Sequence, residues 1–230
     1  MYKHIFLDFD DTIYDTKGNA TEALSELYEA FDLGAYFDDF QTFSTHYWKR
    51  NHEVWALYSQ GKMKKDELIV ERFLYPFRLV GKPVDEDFAM QLHHWFMDRS
   101  SQKSGLVQGA LDLLIYLNSK YEVHMLSNGF EQVQYRKMDY SGVRPYFKEV
   151  ILSDHIGVNK PDKALFDYAL QKIGAQPAEV IMIGDNFDTD IIGAINSQID
   201  QLFFNISPDF RAPQTPTYEV RHLAQIKDIL

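Results

Sequence analysis

Short apolar runs that end abruptly in a small or acidic residue recur along the chain. Runs of this length, rich in aliphatic and β-branched residues, predict strands that are buried on both faces. Three runs show the pattern most clearly: 5–7 before Asp8, 122–126 before Ser127 and 180–183 before Gly184. Three shorter candidates follow the same rhythm, at 149–152, 202–204 and 218–220.

Helical patterns lie between these predicted strands, and a further helix is predicted over 222–230. The alternation of strands and helices predicts an α/β fold, a doubly wound parallel sheet of the Rossmann-like type. The helical spacing puts apolar side chains on one face of each helix. It is clearest at Leu111, Leu114 and Ile115, and again at Leu165, Ala169 and Ile173.

The stretch at 18–99 breaks this alternation, because it contains no convincing strand. Asn19 followed by Glu22 is typical of a helix start, and Pro76 is expected to kink or end a later helix. We therefore predict an all-helical insert at 18–99, placed within a core made of 1–17 and 100–230. Four apolar stripes predict its helices: Ala23, Leu24, Leu27, Tyr28 and Phe31; Phe40, Phe43, Tyr47, Val54 and Tyr58; Leu68, Ile69 and Phe73; Phe88, Leu92, Trp95 and Phe96.

Two features of the insert invite a functional interpretation but are better explained by packing. Adjacent helical residues diverge by about 100°, so His93 and His94 are poorly placed to share a metal ion. Aromatic residues at helical spacing usually belong to a core, which argues against a role in stacking on a base. The four aromatic residues concerned are Tyr47, Trp48, Trp55 and Tyr58.

The chain is acidic, with a formal net charge of −11 and a pI near 5.1. Nucleic acids and anionic membranes bind to basic surfaces, so this charge argues against both as non-specific partners. The sequence has no run of eighteen apolar residues, no leader-like start and no cysteine. We expect a cytoplasmic protein without disulfides or thiolate metal ligands.

Polar residues follow the predicted strands at the edge where open parallel sheets bind ligands. Asp8 and Asp10 follow the first strand, and two carboxylates about 4 Å apart repel by roughly 4 kcal/mol at an effective dielectric near 20. A divalent cation would offset that repulsion, and Mg²⁺ suits a site built from carboxylates and water. The residues at this edge are Asp8, Asp10, Thr12, Ser127, Asn128, Gly129, Lys160, Asp185 and Asp190.

Together these residues predict a phosphoryl-transfer site. Asp8 lies where the first strand stops and is placed to attack as a nucleophile, forming an aspartyl phosphate. Asp10 is suited to give a proton to the leaving oxygen and later to take one from water, provided that its acidic neighbours raise its pKa. Asp185 adds a third carboxylate for Mg²⁺, which would also screen the charge of the substrate.

A phosphate site is predicted beside these acids. Lys160 supplies positive charge and Ser127 supplies a hydroxyl donor for the equatorial oxygens of a transferring phosphoryl group. Asn128 and Gly129, at a strand-to-helix turn, can present backbone N–H groups to the same anion, and Thr12 is a further candidate phosphate ligand. The expected partner is a small phosphorylated metabolite.

Four segments resemble, in order, the four motifs of the haloacid dehalogenase superfamily. They are DFDDT at 8–12, SNG at 127–129, NKPD at 159–162 and GDNFDTD at 184–190. A single motif of this kind is weak, whereas four in order at suitable spacing are specific. The resemblance covers essentially the whole chain, and the helical insert at 18–99 is similar to the mobile cap domain of that superfamily.

The resemblance implies a magnesium-dependent phosphatase and suggests a role for each residue. Asp8 would be the nucleophile and Asp10 the acid/base, with Ser127 and Lys160 binding the phosphate. The implied magnesium ligands are Asp8, the Asp10 carbonyl and Asp185, with Asp190 orienting the metal site from beyond its ligands.

Within the superfamily, the chain looks most like the pyrimidine 5′-nucleotidase branch, which implies a nucleoside 5′-monophosphate as substrate. Gln108 departs from the pattern, since relatives usually have proline in this turn; the departure touches the scaffold and not the chemistry. The segments that carry the likeness are LSNGF, GVNKPD, GDNFDTDIIGAINSQI and PTYEVRHL.

Other members of the superfamily provide alternative interpretations. A sugar-phosphate phosphatase or a phosphomutase shares every motif. A haloacid dehalogenase would need neither Asp10 nor a metal ion. A non-enzymatic regulatory module would be expected to have lost at least one of four residues that are all present here, namely Asp8, Asp10, Lys160 and Asp185.

Overall fold

The computed structural model of the chain describes residues 1–207 and 209–230. The chain divides into two compact units. The first combines Met1–Thr16 with Ser104–Leu230, and the second is Lys17–Lys103. The assignment of a catalytic role to the first unit and a cap role to the second stays a prediction. No helix in the described part of the chain has the length and apolar content needed to cross a bilayer.

The first unit contains a six-stranded sheet in which every pair of neighbouring strands is parallel. All six predicted strands are present, so the predicted α/β core is confirmed. The spatial order is β3-β2-β1-β4-β5-β6. The strands are β1 (His4–Leu7), β2 (Glu122–Ser127), β3 (Glu149–Leu152), β4 (Val180–Gly184), β5 (Asp200–Phe204) and β6 (Tyr218–Val220).

The strand order reverses beside β1. The chain runs outward from β1 to β2 and β3, and then returns to the other side of β1 to form β4. In register, Leu7 of β1 lies beside Met125 of β2 and Ile183 of β4. The residues that follow these three strands therefore meet at one crevice, where open α/β sheets bind their ligands.

Helices cover both faces of this sheet, because alternate strand residues point to opposite sides. Ile5 and Leu7 share one core with helices α5 and α6, whereas Phe6 packs in a second core with α7 and α8. A π-helical turn, Phe187–Ile191, leads directly into α8. The four helices are α5 (Ala110–Asn118), α6 (Glu131–Ser141), α7 (Lys163–Ile173) and α8 (Ile192–Asn196).

The predicted closing helix at 222–230 is instead a 3₁₀ helix, Leu223–Asp228. The Gln225 side chain accepts hydrogen bonds from the backbone N–H groups of Arg221 and His222, which tightens the start. The Tyr116 hydroxyl donates to the Lys227 carbonyl, which ties the far end to α5. Side-chain contacts of this kind satisfy the backbone groups at the two ends of a short helix, which have no partner within the helix itself.

The second unit consists of four helices, as the insert was predicted to do. The first helix begins at Thr16 and not at Asn19, and the Glu22 carboxylate that was expected to cap its start accepts instead from Lys103 Nζ at 2.6 Å. Pro76 does not end its helix, which continues to Leu79. The helices are α1 (Thr16–Ala30), α2 (Phe40–Ser59), α3 (Lys65–Leu79) and α4 (Glu86–Ser100).

An aromatic core holds these four helices together. Tyr47 is buried within it and Trp48 packs against it, as predicted. Trp55 and Tyr58 lie outside this cluster, half-buried, with their rings packed edge to face at 5.6 Å. The prediction of core packing was therefore wrong for these two, because the end of α2 extends beyond the aromatic cluster.

His93 and Arg72 form a buried polar pair inside the second unit. Arg72 Nη2 lies 3.0 Å from His93 Nδ1. A guanidinium can only donate, so Nδ1 accepts and a neutral His93 carries its proton on Nε2. Burial, reinforced by the charge of Arg72, lowers the pKa of His93 to about 3. His93 thus has a packing role, while His94 is exposed.

We predict that acid destabilises the protein through His93. In the unfolded chain this side chain takes up a proton near pH 6.5, whereas the folded state keeps it neutral, so lowering the pH favours unfolding. Between pH 7 and pH 5 the free energy of unfolding should fall by roughly 1–2 kcal/mol more in the wild type than in His93→Asn, which keeps an acceptor for Arg72. Urea denaturation at the two pH values measures this difference. His94→Asn is the matched control, and equal losses in wild type and His93→Asn would contradict a neutral buried His93.

Candidate active site

Asp8 is the first residue after β1 and is almost fully buried at the crevice. Its backbone N–H donates to the Ile183 carbonyl at 2.9 Å, which continues the pairing of β1 with β4. Oδ1 of the carboxylate accepts from Lys160 Nζ at 2.7 Å, and Oδ2 lies 3.1 Å from Thr12 Oγ1. Both carboxylate oxygens therefore have fixed directions.

Thr12 connects the loops that follow β1 and β4. Its hydroxyl lies 3.1 Å from both Asp8 Oδ2 and Asp185 Oδ1, and it accepts from the Asp185 backbone N–H at 3.1 Å. A threonine hydroxyl has one proton to donate, and these contacts occupy it. Thr12 is fully buried, so the structure places it between the two aspartates instead of toward an incoming phosphate.

The turn that brings Thr12 into place depends on Asp11. Asp11 has a φ of 61°, in the left-handed region that aspartate tolerates better than most residues. Its N–H donates to the Tyr14 carbonyl, while the N–H groups of Ile13 and Tyr14 both donate to the Phe9 carbonyl. Asp11 is therefore a turn residue.

Lys160 is a buried cation with three oxygen partners. Nζ lies 2.7 Å from Asp8 Oδ1, 2.6 Å from Asp190 Oδ1 and 2.8 Å from the Leu126 carbonyl. Burial alone would lower the pKa of Lys160, but Asp190 and Asp8 outweigh it and hold the pKa above its ordinary value. Lys160 is therefore charged and rigidly placed.

Asn128 fixes the backbone that carries Lys160. Its Oδ1 accepts from the Lys160 N–H at 2.7 Å, and its Nδ2 donates to the Lys160 carbonyl at 3.0 Å. The side chain of Asn128 thus spans from the end of β2 to the Lys160 loop. The sequence predicted only a backbone contribution from Asn128, and this clamp is an additional role.

Asp190 lies behind Lys160 and is fully buried. The π-helical turn carries it there, and its Oδ2 accepts from the Asn186 N–H at 3.1 Å. Gly184, at the end of β4, leaves the necessary space, since a Cβ at this position would lie 2.2 Å from Asp190 Oδ2. The glycine of the GDN segment is thus required by the packing of Asp190.

Three carboxylates converge at the crevice. Asp8, Asp185 and Asp190 each offer an oxygen, and these atoms lie within 4.8 Å of one another. Burial raises the pKa of Asp8 to about 7, with Asp190 and Asp10 adding to the shift and Lys160 opposing it. Burial, together with the charges of Asp8 and Asp190, also raises the pKa of Asp185 well above its ordinary value.

This arrangement fits a hard divalent cation. The donors are carboxylate oxygens, which Mg²⁺ prefers. The crowding of like charges that raises the pKa values of Asp8 and Asp185 is also what a bound cation would relieve. Lys160 balances part of the negative charge of the three carboxylates. One divalent cation beside Asp8 and Asp185 would balance the rest.

Asp10 is held by three donors on the same side of the sheet. Lys137 Nζ and Thr16 Oγ1 bond to its Oδ1 at 2.5 and 2.6 Å, and Gln134 Nε2 bonds to its Oδ2 at 2.5 Å. Burial raises the pKa of Asp10, but Lys137 and the other donors more than offset it, so the pKa is lowered. The expected rise in the pKa of Asp10 is therefore wrong, because the expectation considered only acidic neighbours.

Ser127 ends β2 with its side chain directed at the same region. Its Oγ accepts from the Gly129 N–H at 3.0 Å and from Gln134 Nε2 at 2.9 Å. These two bonds leave the hydroxyl proton of Ser127 for another acceptor. Gly129 makes room for Gln134, since a Cβ at Gly129 would lie 1.8 Å from Gln134 Nε2.

Gln134 and Lys137 were missed by the reasoning from sequence. Both lie on α6, both are buried, and both contact Asp10. Their spacing could have identified them, because residues three apart lie on the same face of a helix. Met138 on that face belongs to the core, so the face is directed toward the sheet. Polar residues on a buried helix face after a strand-end motif indicate a functional crevice.

Comparisons with known proteins agree with this geometry. The family of haloacid dehalogenase-like hydrolases matches residues 2–198. YfnB of Bacillus subtilis (strain 168), which is named as a HAD-hydrolase, is 30% identical over 231 residues, covering 100% of this chain and 95% of that protein. The pyrimidine 5′-nucleotidase PynA of Streptococcus pneumoniae (strain ATCC BAA-255 / R6) is 30% identical over 235 residues, with 100% and 95% covered.

Two further similarities concern substrate class and structure. A glyceraldehyde 3-phosphate phosphatase of Methanothermobacter thermautotrophicus is 29% identical over 213 residues, covering 89% of this chain and 86% of that protein. The crystal structure of YfnB bound to magnesium superimposes with a TM-score of 0.89 at 27% identity, covering 99% and 98% of the two chains.

The family match covers most of the chain, and relatives that are 30% identical match it along its whole length. The chain belongs to the family of haloacid dehalogenase-like hydrolases.

Proposed function

We propose that the protein is a magnesium-dependent phosphatase that hydrolyses small phosphomonoesters through a phosphorylated Asp8. The observation that carries this proposal is the position of the Asp8 carboxylate, between Lys160 Nζ at 2.7 Å and Thr12 Oγ1 at 3.1 Å, beside Asp185 and Asp190. A carboxylate oriented in this way at a crevice is suited to in-line attack on phosphorus.

In the first step, an oxygen of Asp8 forms a bond to phosphorus while the bond from phosphorus to the leaving oxygen breaks. Asp10 donates its proton to that leaving oxygen. In the second step, water attacks the phosphorus, Asp10 takes a proton from the water, and the Asp8 carboxylate is released with inorganic phosphate. Atoms and charge balance over the two steps, and the products are an alcohol and phosphate.

Asp10 must carry a proton for the first step, although Lys137 keeps it ionised in the ligand-free protein. An arriving phosphate dianion brings negative charge close to Asp10, and negative charge raises the pKa of a carboxyl group. We propose that the phosphate also draws Lys137 toward itself, so that substrate binding favours the protonated Asp10 that the first step needs.

The Asp8 and Asp185 carboxylates and the Asp10 carbonyl are the proposed magnesium ligands, with Asp190 supporting them from behind. When bound, Mg²⁺ would neutralise the clustered acids and polarise a phosphoryl oxygen. The Lys160 ammonium and the Ser127 hydroxyl bind the other phosphoryl oxygens, with backbone N–H groups of Asn128 and Gly129 at the same turn. Thr12, proposed from sequence as a phosphate ligand, is reassigned to positioning Asp8 and Asp185.

For the substrate, we propose a pyrimidine nucleoside 5′-monophosphate, with the helical unit 17–103 as the cap that selects the leaving group. The similarity to PynA over the full length of this chain supports this choice. The similarity to glyceraldehyde 3-phosphate phosphatase supports a sugar phosphate as the second candidate. A cytoplasmic location, where such metabolites occur, belongs to the same proposal.

The experiment that tests the proposed function is phosphate release from a panel of nucleoside monophosphates and sugar phosphates, with Mg²⁺ and with a chelator. We expect release that requires Mg²⁺ and is fastest with uridine or thymidine monophosphate. Faster release from sugar phosphates would keep the chemistry and overturn the nucleotide assignment. Release that is unchanged by the chelator would contradict the metal-dependent site.

We predict that Asp8→Asn abolishes turnover, because an amide is a very poor nucleophile. The turnover number kcat should fall by roughly 10³-fold or more, while circular dichroism shows a folded protein. Asp11→Asn, three residues further along the same turn, is the matched control and should keep most of the activity. Substantial turnover by Asp8→Asn would exclude Asp8 as the phosphoryl acceptor.

We predict that Thr12→Val, which keeps the shape of the side chain, lowers the affinity of the site for Mg²⁺ without abolishing activity. The Asp185 N–H loses its acceptor, and the two carboxylates lose the one hydroxyl proton that lies between them, so stability should fall by about 1–3 kcal/mol. The Mg²⁺ concentration for half-maximal activity should rise, and kcat/KM should fall by roughly tenfold, which corresponds to about 1.4 kcal/mol. The exposed Thr45→Val is the control. Wild-type magnesium dependence in Thr12→Val would show that Thr12 does not position the aspartates.

A further inference from the structure

A second cluster of potential metal ligands lies at the opposite end of the sheet. His4 begins β1, and Glu122, its register partner, begins β2. His124 lies two residues after Glu122, so its side chain points to the same face. These three residues and the Asp8 cluster are the two groups within the described residues whose donor atoms converge within 4.8 Å.

The spacing of the donor atoms matches a tetrahedral ion. His4 Nδ1 lies 3.3 Å from His124 Nε2 and 3.3 Å from Glu122 Oε2. Zinc bonds of about 2.0–2.2 Å to nitrogen and oxygen place two ligands of a tetrahedral ion about 3.3–3.6 Å apart. The two separations that involve His4 therefore match those that one such ion would impose, and the donor atoms of Glu122 and His124 lie within 4.8 Å of each other.

We propose that His4, Glu122 and His124 bind a divalent transition-metal ion of the zinc class, with water in the fourth position. Two imidazoles and one carboxylate form a donor set that binds zinc in proteins. The imidazole nitrogens select such an ion over Mg²⁺, which prefers oxygen. This site is separate from the proposed phosphatase chemistry, because Asp8 lies four residues further along β1, about 13 Å away.

The surroundings of the three residues support metal binding. Lys148 Nζ bonds to Oε1 of Glu122, which leaves Oε2 directed toward His4. Hydrogen bonding of the second carboxylate oxygen is the usual arrangement for a ligating carboxylate. His124 is almost completely buried, and its Nε2 faces His4 Nδ1 at 3.3 Å, so one metal ion between the two rings would replace this contact with a bond to each of them.

A bound ion would join the beginnings of β1 and β2, the two central strands that lead to Asp8 and Ser127.

The test is calorimetric titration of Zn²⁺ into the chelator-treated, dialysed full-length chain, in excess Mg²⁺ to occupy the aspartate cluster. We expect one zinc ion per chain. The Kd should rise by roughly tenfold or more in His4→Gln, in His124→Gln and in Glu122→Gln. Glu122 is exposed, so Glu122→Gln keeps the test valid if a histidine variant fails to fold.

Two controls separate this site from others. His94→Gln, an exposed histidine elsewhere, and Asp185→Asn, at the candidate active site, should both bind zinc as the wild type does. Absence of zinc binding, or unchanged binding in all three ligand variants, would overturn the proposal. Loss of binding in Asp185→Asn would show that zinc occupies the aspartate cluster instead.

Phosphate release assays on His4→Gln should give wild-type rates, so a failure of this proposal leaves the proposed function unaffected.

Discussion

The buried ion pairs of Lys160 with Asp8 and Asp190 are the interaction on which the crevice depends. Both carboxylates and the ammonium group are almost completely removed from solvent. Removing one partner from a buried pair typically costs about 3–5 kcal/mol, because the remaining charge is left uncompensated. Asn128 holds the Lys160 backbone, Gly184 makes room for Asp190, and Thr12 orients Asp8. The residues of the surrounding loops thus hold the Lys160 ammonium group between the carboxylates of Asp8 and Asp190.

The sheet makes this arrangement possible because of the position of β1. The chain leaves β1 on one side and returns on the other, so loops from β1, β2 and β4 meet at a single point. The carboxyl ends of these strands gather oxygen donors, which suit Mg²⁺. Their amino ends gather His4, Glu122 and His124, which suit a softer ion. The two ends of one central sheet therefore offer different donor atoms to a metal ion.

Much of the fold and of the site could be predicted from sequence, because both depend on local signals. Buried parallel strands are nearly continuous apolar runs, and the acids that follow them stand out, as Asp8 and Asp185 do. Interactions between distant segments could not be predicted in this way. The lowered pKa of Asp10 depends on Lys137, 127 residues away, and the role of Thr12 depends on Asp185. The ion pair of Glu22 with Lys103, which takes Glu22 away from the predicted helix start at Asn19, also joins distant segments.

The central claim is that Asp8 becomes phosphorylated during turnover. The most direct measurement is to mix protein, Mg²⁺ and substrate, quench with borohydride, and identify the modified residue by mass spectrometry of the peptides. Borohydride reduces an acyl phosphate to an alcohol, so we predict homoserine at residue 8, and only when substrate is present. Reduction at Asp10 or Asp185, or turnover with no reduction of any aspartate, would contradict the assignment of Asp8 as the nucleophile.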